Sequence, residues 1–342
     1  MAVSEPAIAV TGATGFIGRA LCARAASGAR AAPPGAATVG SPLRALVRDR
    51  CRAEEVLPSG VELVETDLET AGVADLARTL TGVAAVVHLA GRAHVIDEHA
   101  ADPDSAYRRA NVDITAKLAE AAVAAGVGRF VFASTIKVNG ESTLRGRPFR
   151  PDDAPRPGDA YARSKHAAEV VLERIAQGTP MLPLILRLPL VYGPHAHGNF
   201  RRLVDAVAAR QWLPFGAIDN RRSLLGLPNL LDAIDAALRA MSEQTTTTGT
   251  SARNVHLIAD AAPVSTPELV RAIARALGVK ARLFPVPVGV LRVVGALTGR
   301  AALVERLTGS LEVDSTSFAR ATGWRTRPFA IDAAMFEPRS SR

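Results

Sequence analysis

With 342 residues, 48% of them hydrophobic, the chain is long enough to bury a sizeable core and too apolar to remain disordered. Its formal charge of +8 comes mostly from arginines scattered through amphipathic segments, a pattern that argues against nucleic acid as a partner and for anionic small molecules such as nucleotides. Two cysteines without metal-type spacing, Cys22 and Cys51, exclude a disulfide framework, and no charged segment leads into an apolar run at the start, so a reducing, cytoplasmic setting is expected.

The first element is an apolar strand, Ile8-Ala9-Val10-Thr11, which runs into Gly12, Gly15 and Gly18 and then an Ala/Leu-rich helix from Arg19. Gly12 and Gly15 are expected to let phosphates approach the N–H groups at the helix start, and Gly18 to let the helix lie close on a sheet. A Gly/Pro/Ala stretch, Gly28 to Pro42, reads as an inserted surface loop before a second strand, Leu43 to Val47. A third strand, Val61 to Val64, precedes Asp67-Leu68, and Val83 to Ala90 is the short apolar run of a strand covered on both faces. A helical pattern from about Ala106 to Ala125 stops at Gly126, and strand five follows as Arg129 to Ala133. A helix from about Ala160 to Gln177 leads to strand six, Leu184 to Arg187. This alternation predicts an α/β fold, a Rossmann-type doubly wound parallel sheet with right-handed crossovers.

After Tyr192 the rhythm changes, so residues 1–192 are expected to form the dinucleotide domain and 193–342 mainly a smaller C-terminal α/β substrate lid, with some chain returning to the sheet. Thr245 to Thr248 reads as a solvated connector. Thr266-Pro267-Glu268 reads as a helix start, with Thr266 as the hydroxyl cap, and Gly278 as its end. The apolar stretch from Leu283 to Val304 is broken by Pro285, Pro287, Arg292 and Arg300, and is expected to pack within the lid without inserting into a membrane.

Tyr161 and Lys165, four residues apart in a helical segment, share a face. A phenol exchanges protons poorly near neutrality unless a cation beside it favours the phenolate, which Lys165 can supply. Lysine is scarce in this arginine-rich chain, and its compact ammonium suits the place beneath a ribose and a phenolate. Ser134-Thr135 ends strand five at the sheet edge where ligands of such folds bind, with hydroxyls able to hold a reacting oxygen. His195 and His197 lack a third ligand, so no metal is expected, and His88 reads as a strand-end residue.

Taken with Thr11-Gly-x-x-Gly-Phe-Ile-Gly18, His88-Leu89-Ala90-Gly91 and Arg187-Leu188-Pro189-Leu190-Val191-Tyr192-Gly193-Pro194, these motifs resemble the extended short-chain dehydrogenase/reductases of the nucleotide-sugar epimerase/dehydratase type, from about Ala7 to Trp324. The resemblance implies a catalytic set of Thr135, Tyr161 and Lys165, with Ser134 assisting and Asn111 as a supporting polar residue. It implies cofactor contacts from Gly12, Thr14, Gly15, Phe16, Ile17, Arg19, Arg48, Asp67, Leu68, Leu89, Ala90, Gly91, Lys165 and Pro189. Asn199, Phe200, Arg222 and Arg306 match positions that hold the diphosphate and uracil of a UDP-sugar, and a homodimer through the two long helices is implied.

In dehydratases of this type an Asp-Glu pair follows the position of Thr135; here Ile136 and Lys137 stand there, so elimination is not expected. What is left is hydride chemistry at carbon 4. The run Ser134 to Glu141, with Asn139 in place of the epimerases' usual tyrosine, is similar to reductases that make UDP-N-acetylquinovosamine from a 4-keto precursor for lipopolysaccharide synthesis. Reduction is therefore the leading expectation, with a UDP-glucose or UDP-GlcNAc 4-epimerase holding NAD as the alternative. An NADP-binding regulator without turnover would have lost the tyrosine or the lysine, and both are present. Arg48 followed by Asp49 at the end of the second strand, with Arg19 nearby, tilts the cofactor expectation from NAD(H) to NADP(H).

Overall fold

The computed structural model describes residues 7–28, 41–92, 102–243 and 254–336. Most of the expected inserted loop and all of the Thr-rich connector lie outside the described residues.

β1 (Ala7–Thr11) is buried from Ile8 onward, as a strand covered on both faces must be. α1 (Phe16–Ala26) begins earlier than its Ala/Leu composition suggests, because Gly15 is its N-cap. β2 (Leu43–Val47), α2 (Arg50–Val56), β3 (Glu62–Glu65), α3 (Val73–Thr79) and β4 (Val83–His88) continue the alternation. The single helix expected over 106–125 is instead α4 (Pro103–Tyr107), a π-helical turn at Arg108–Asp113, and α5 (Ile114–Ala124). Then come β5 (Arg129–Thr135), α6 (Ala160–Ala176) and β6 (Leu182–Leu188), both strands running past their apolar cores. Beyond them lie β7 (Leu190–Tyr192), α7 (Gly198–Ala208), β8 (Leu224–Gly226), α8 (Leu227–Glu243), β9 (Val255–Leu257), α9 (Thr266–Ala276), α10 (Val288–Leu297), α11 (Ala301–Thr308) and α12 (Thr316–Thr322).

Among the described residues seven strands form one sheet in the order β3-β2-β1-β4-β5-β6-β9, each pairing parallel. This is the Rossmann-type α/β fold. The strand order reverses between β1 and β4, and at that point ligand crevices open beyond the carboxyl ends of the strands. One face of the sheet is covered by α1 and α8, which bury Leu21, Leu230 and Ile234 against Val10 and Val131. The other is covered by α3, α5 and α6 through Leu76, Leu118 and Leu172, packed on Phe130 and Phe132.

Chain beyond residue 192 therefore enters the sheet domain: α8 lies on its face, β9 pairs with β6, and Phe318 of α12 is fully buried beside Trp324. The remainder forms the smaller unit, with β7 parallel to β8 and a core of Tyr192, Phe200, Val204 and Ile273 between α7 and α9. Two local expectations are corrected. Ser265, not Thr266, caps α9, in a reciprocal capping box with Glu268, while the Thr266 N–H donates to Asn220 Oδ1 at 2.8 Å. The stretch around Leu283 to Val304 does not pack as a core: within α10 only Gly295 is buried.

Close approach fixes Gly18. An added Cβ would lie 2.2 Å from the Gly12 carbonyl oxygen and 2.6 Å from Ala13 Cα, both backbone atoms with no rotamer by which to yield. Gly18→Ala is expected to destabilise by about 3 kcal/mol or more, at or beyond the usual upper end for overpacking. The shift in a urea unfolding midpoint at unchanged slope is the check.

Candidate active site

The turn after β1 is built for proximity. Gly12 has φ +69°, and a Cβ there would lie 2.7 Å from Ala90 N and 2.8 Å from Leu89 C. The absence of a side chain thus lets the end of β1 meet the end of β4. Gly15, as an N-cap without a side chain, leaves the first-turn N–H groups of α1 to an external acceptor. Thr14 and Ile17 flank that turn, and the Phe16 ring packs on both the sheet core and the smaller unit. Leu89, Ala90 and Gly91 follow β4; Asp67 and Leu68 follow β3; Pro189 follows β6 and is buried. These residues all sit at the carboxyl edge of the sheet.

The same edge holds the acid-base groups. Thr135, the last residue of β5, hydrogen-bonds the Tyr161 phenol from the first turn of α6. Lys165, one turn on, is buried, its Nζ 4.0 Å from the Phe132 ring centroid and beside Gly91, where an added Cβ would lie 3.7 Å away. Burial pushes the Tyr161 phenol up to about 12; the Thr135 bond opposes this, while Asp159 and Tyr107 add to it. Burial brings Lys165 down to about 7 against the pull of Glu169. Asp159 caps α6 by accepting from Ala162 N at 2.7 Å. Lys137, standing where a dehydratase acid was sought, pairs with that same Asp159 and with Glu141 at 3.1 Å, so it fixes the helix end that presents Tyr161.

The Ser134 hydroxyl donates to the buried Glu169 carboxylate. Glu169 lies under the site with Arg187, whose Nη2 reaches Oε2 at 2.6 Å and whose Nη1 reaches Asn139 Oδ1 at 2.9 Å; both charged side chains are buried. Glu169, Arg187 and Asn139 were not among the expected site residues. Two signals pointed to them: Glu169 continues the four-residue spacing of Tyr161 and Lys165, and Arg187 is a lone charge in an apolar strand. Asn111, in the π-helical turn, accepts from Arg92 N at 2.8 Å and donates to Ser164 Oγ at 2.9 Å, tying the segment after β4 to α6. His88 contacts Thr11 Oγ1 at 2.6 Å and Thr115 Oγ1 at 3.0 Å, and burial first, then the Lys165 charge, brings it down to about 3. It is a neutral strand-end tether.

Of the residues expected to hold substrate, Arg222 and Arg306 are brought into electrostatic contact with each other, beside Glu141, and Arg222 Nη1 donates to the Gly309 carbonyl at 3.0 Å. Asn199 is exposed in the first turn of α7. The Phe200 ring is buried 6.0 Å from that of Tyr192 in the core of the smaller unit, where it serves packing. At the end of β2 Arg48 is exposed, while Asp49 is engaged as the N-cap of α2 through Arg52 N. Arg19 lines a surface hollow with Ala23 and Glu55 to Pro58.

Comparison with known proteins matches residues 8–248 to the model of the NAD dependent epimerase/dehydratase family. The chain belongs to that family. A UDP-glucose 4-epimerase of Vibrio cholerae is 40% identical over 252 residues, which are 73% of this chain and 74% of that protein. Among solved structures, MoeE5 in complex with UDP-glucose and NAD superposes with a TM-score of 0.67 at 25% identity, covering 94% of this chain and 93% of that one. A UDP-glucuronic acid 4-epimerase from Bacillus cereus in complex with NAD superposes at 0.69 with 18% identity over 94% and 93% of the two chains, a likeness of fold.

In this epimerase/dehydratase the residues present fit a nicotinamide dinucleotide. The bare N-cap Gly15 leaves N–H groups of the kind that suit a phosphate, and Lys165 beside Gly91 brings an amine to the same sheet edge. Without cofactor, Lys165 is expected to make stability rise with pH between about 7 and its ordinary 10.5. In that window the folded state binds fewer protons than the unfolded state, so the slope is positive; below it both carry the proton and the burial penalty is complete. Lys165→Met is expected to flatten the slope, read from urea midpoints across that window.

Among the described residues no helix is long and apolar enough to cross a membrane.

Proposed function

We propose that this protein carries out NAD(P)-dependent hydride chemistry at carbon 4 of a UDP-sugar, with net 4-epimerisation as the leading reaction. The observation that carries the reading is the Tyr161–Thr135 hydrogen bond with Lys165 one helical turn away, at the edge where the glycine turn opens. No carboxylic acid follows Thr135 to drive an elimination, and Lys137 is engaged with Asp159 and Glu141. The 40%-identical Vibrio cholerae relative being a UDP-glucose 4-epimerase moves the weight from the reduction expected in the sequence to epimerisation. Asn139, which favoured reduction, is held by Arg187 and donates to the Arg150 carbonyl at 3.0 Å, a packing role that does not discriminate between the two reactions.

A nicotinamide supplies reversible hydride transfer. In this reading the chain's own residues do the rest. Thr135 orients the carbinol oxygen, Tyr161 takes its proton on oxidation and returns it on reduction, and Lys165 supplies the charge that favours the phenolate. Arg222 and Arg306 grip the diphosphate, for which two guanidinium groups suit the phosphate oxygens, and Asn199 assists from α7. A homodimer through α5 and α6 belongs to the same reading, with Val170 exposed on α6; light scattering should read twice the mass of the chain.

Net reduction of a UDP-4-keto-6-deoxy-HexNAc is kept as a second reading by one observation: Arg48 is exposed while Asp49 is engaged as a cap, which suits a 2′-phosphate and so NADP(H), a cofactor exchanged at each turnover. The deciding experiment incubates the protein with UDP-glucose, UDP-GlcNAc or the 4-keto sugar and either cofactor. Interconversion of 4-epimers by NMR without net change in nicotinamide absorbance supports epimerisation. Consumption of NADPH stoichiometric with the 4-keto sugar supports reduction, and neither outcome with any of these sugars overturns both.

A further inference from the structure

α10 and α11 form a hairpin whose helices meet at Gly295, where an added Cβ would lie 2.5 Å from Val304 Cγ2. Away from that contact the apolar side chains of α10 face solvent: Val290, Val293 and Val294 are exposed, Leu297 is 83% exposed, and Leu303 of α11 joins them. At the root of the hairpin Trp212 is 64% exposed, set edge-on to exposed Phe284 at 6.4 Å, with the Arg282 guanidinium 5.7 Å from the indole centroid. Isolated exposed apolar residues are ordinary; a helix bare along its length beside an exposed tryptophan is not.

The stretch that carries this patch has a surplus of cations. Residues 279–308 contain Lys280, Arg282, Arg292, Arg300 and Arg306 against a single acid, Glu305, which is itself paired with Arg292 at 3.2 Å. We propose that the α10–α11 hairpin, with Trp212 and Phe284 at its root, docks on an anionic lipid bilayer.

The exposed apolar residues Val290, Val293, Val294 and Leu297 recur at helical spacing and form one stripe along α10. Two features favour a bilayer over a protein as its occupant. Trp and Arg carry an apolar body and a polar tip, the chemistry of the headgroup level. The surplus of cations complements anionic headgroups. Ten residues span ~15 Å, half of a hydrocarbon core of ~30 Å, so the hairpin lies in one leaflet's boundary and does not cross. Arg306 of α11 also neighbours Arg222, so docking sets the side of the molecule that holds these two arginines near the bilayer.

The test uses the full chain with vesicles of phosphatidylglycerol and phosphatidylethanolamine, and with phosphatidylcholine alone as the neutral control. Trp324 is buried, so Trp212 reports by fluorescence. The expected result is sedimentation with the anionic vesicles, a blue shift of tryptophan emission that Trp212→Phe removes, and loss of both in phosphatidylcholine or high salt. Val293→Asp/Leu297→Asp should lower the bound fraction about tenfold or more, because apolar area and charge complementarity are lost together. The variant's melting temperature and solution turnover should stay with the parent. Absence of binding to anionic vesicles overturns the proposal, as does equal binding by the double variant. Failure to bind vesicles together with dissociation of an oligomer in that variant assigns the patch to a second copy of this chain instead.

Discussion

Tyr161→Phe is expected to lower turnover by about 10²–10⁴-fold, the range for removing a positioned proton donor or acceptor, while binding of the reduced cofactor stays close to that of the parent. The phenol is the group that hydrogen-bonds Thr135, and burial pushes it up to about 12, so in the cofactor-free protein it holds its proton at neutrality. A group in that state is ready to donate to an alkoxide. To accept a proton it must first be lowered, and positive charge is what lowers a phenol. In the proposed reading Lys165, one turn along the same helix, would be one source and the oxidised nicotinamide the other. The ring contributes little to cofactor binding in this scheme, which is why loss of turnover with retained binding is the discriminating result.

Tyr107 is the control. Its ring lies 6.0 Å from that of Tyr161, and it is buried under the Arg92 guanidinium, so a general loss of packing would appear in Tyr107→Phe as well. That variant should keep its turnover. Thr135→Val should raise the phenol further, since the Thr135 bond is a contribution that lowers it, and should move the alkaline limb of the pH–rate profile upward. Turnover by Tyr161→Phe within a few-fold of the parent would remove the proton-transfer role from the phenol.

The sheet was legible because its strands are apolar on both faces: Val83 to His88 can lie nowhere but between layers, and the glycines at 12, 15 and 18 mark the turn that follows the first strand. The Tyr161/Lys165 pair was legible because helical spacing alone puts the two residues on one face. Thr135 was ranked above Ser134 by resemblance, and only packing shows that Ser134 donates to a buried carboxylate. Asn139 illustrates the same limit: a polar residue that differs from a family pattern reads as a functional change until its partner is known, and here the partner is an arginine 48 positions away. The division of the long helix at Arg108–Asp113 leaves no mark in periodicity, because a π-turn inserts its extra residue without breaking the apolar face. The exposed hairpin escaped for the opposite reason: apolar sequence was taken to mean buried, and composition cannot say which side of an apolar helix has a partner.

Arg187→Met is expected to cost about 3–5 kcal/mol of stability, the range for removing one partner of a buried ion pair. The cost comes from what remains. Glu169 keeps its carboxylate below the surface of α6, deprived of the guanidinium that reaches its two oxygens at 3.0 and 2.6 Å, with only the hydroxyl of Ser134 and the neighbouring His166 and Lys165 to meet it. Burial alone would raise this carboxyl; His166, Arg187 and Ser134 more than offset that and hold it below the ordinary 4.5. A depressed carboxyl contributes stability that is complete above 4.5 and lost as pH falls through the folded value, so the gap between parent and Arg187→Met should narrow on acidification. Adding Glu169→Gln should restore much of the loss at neutral pH, because a neutral amide costs far less to bury than an unpaired charge. Urea unfolding of the parent, the two single variants and the double variant gives the coupling directly. A coupling near zero would mean that the carboxylate is stabilised without Arg187, and the network beneath Lys165 would then be incidental to holding β5, β6 and α6 in register.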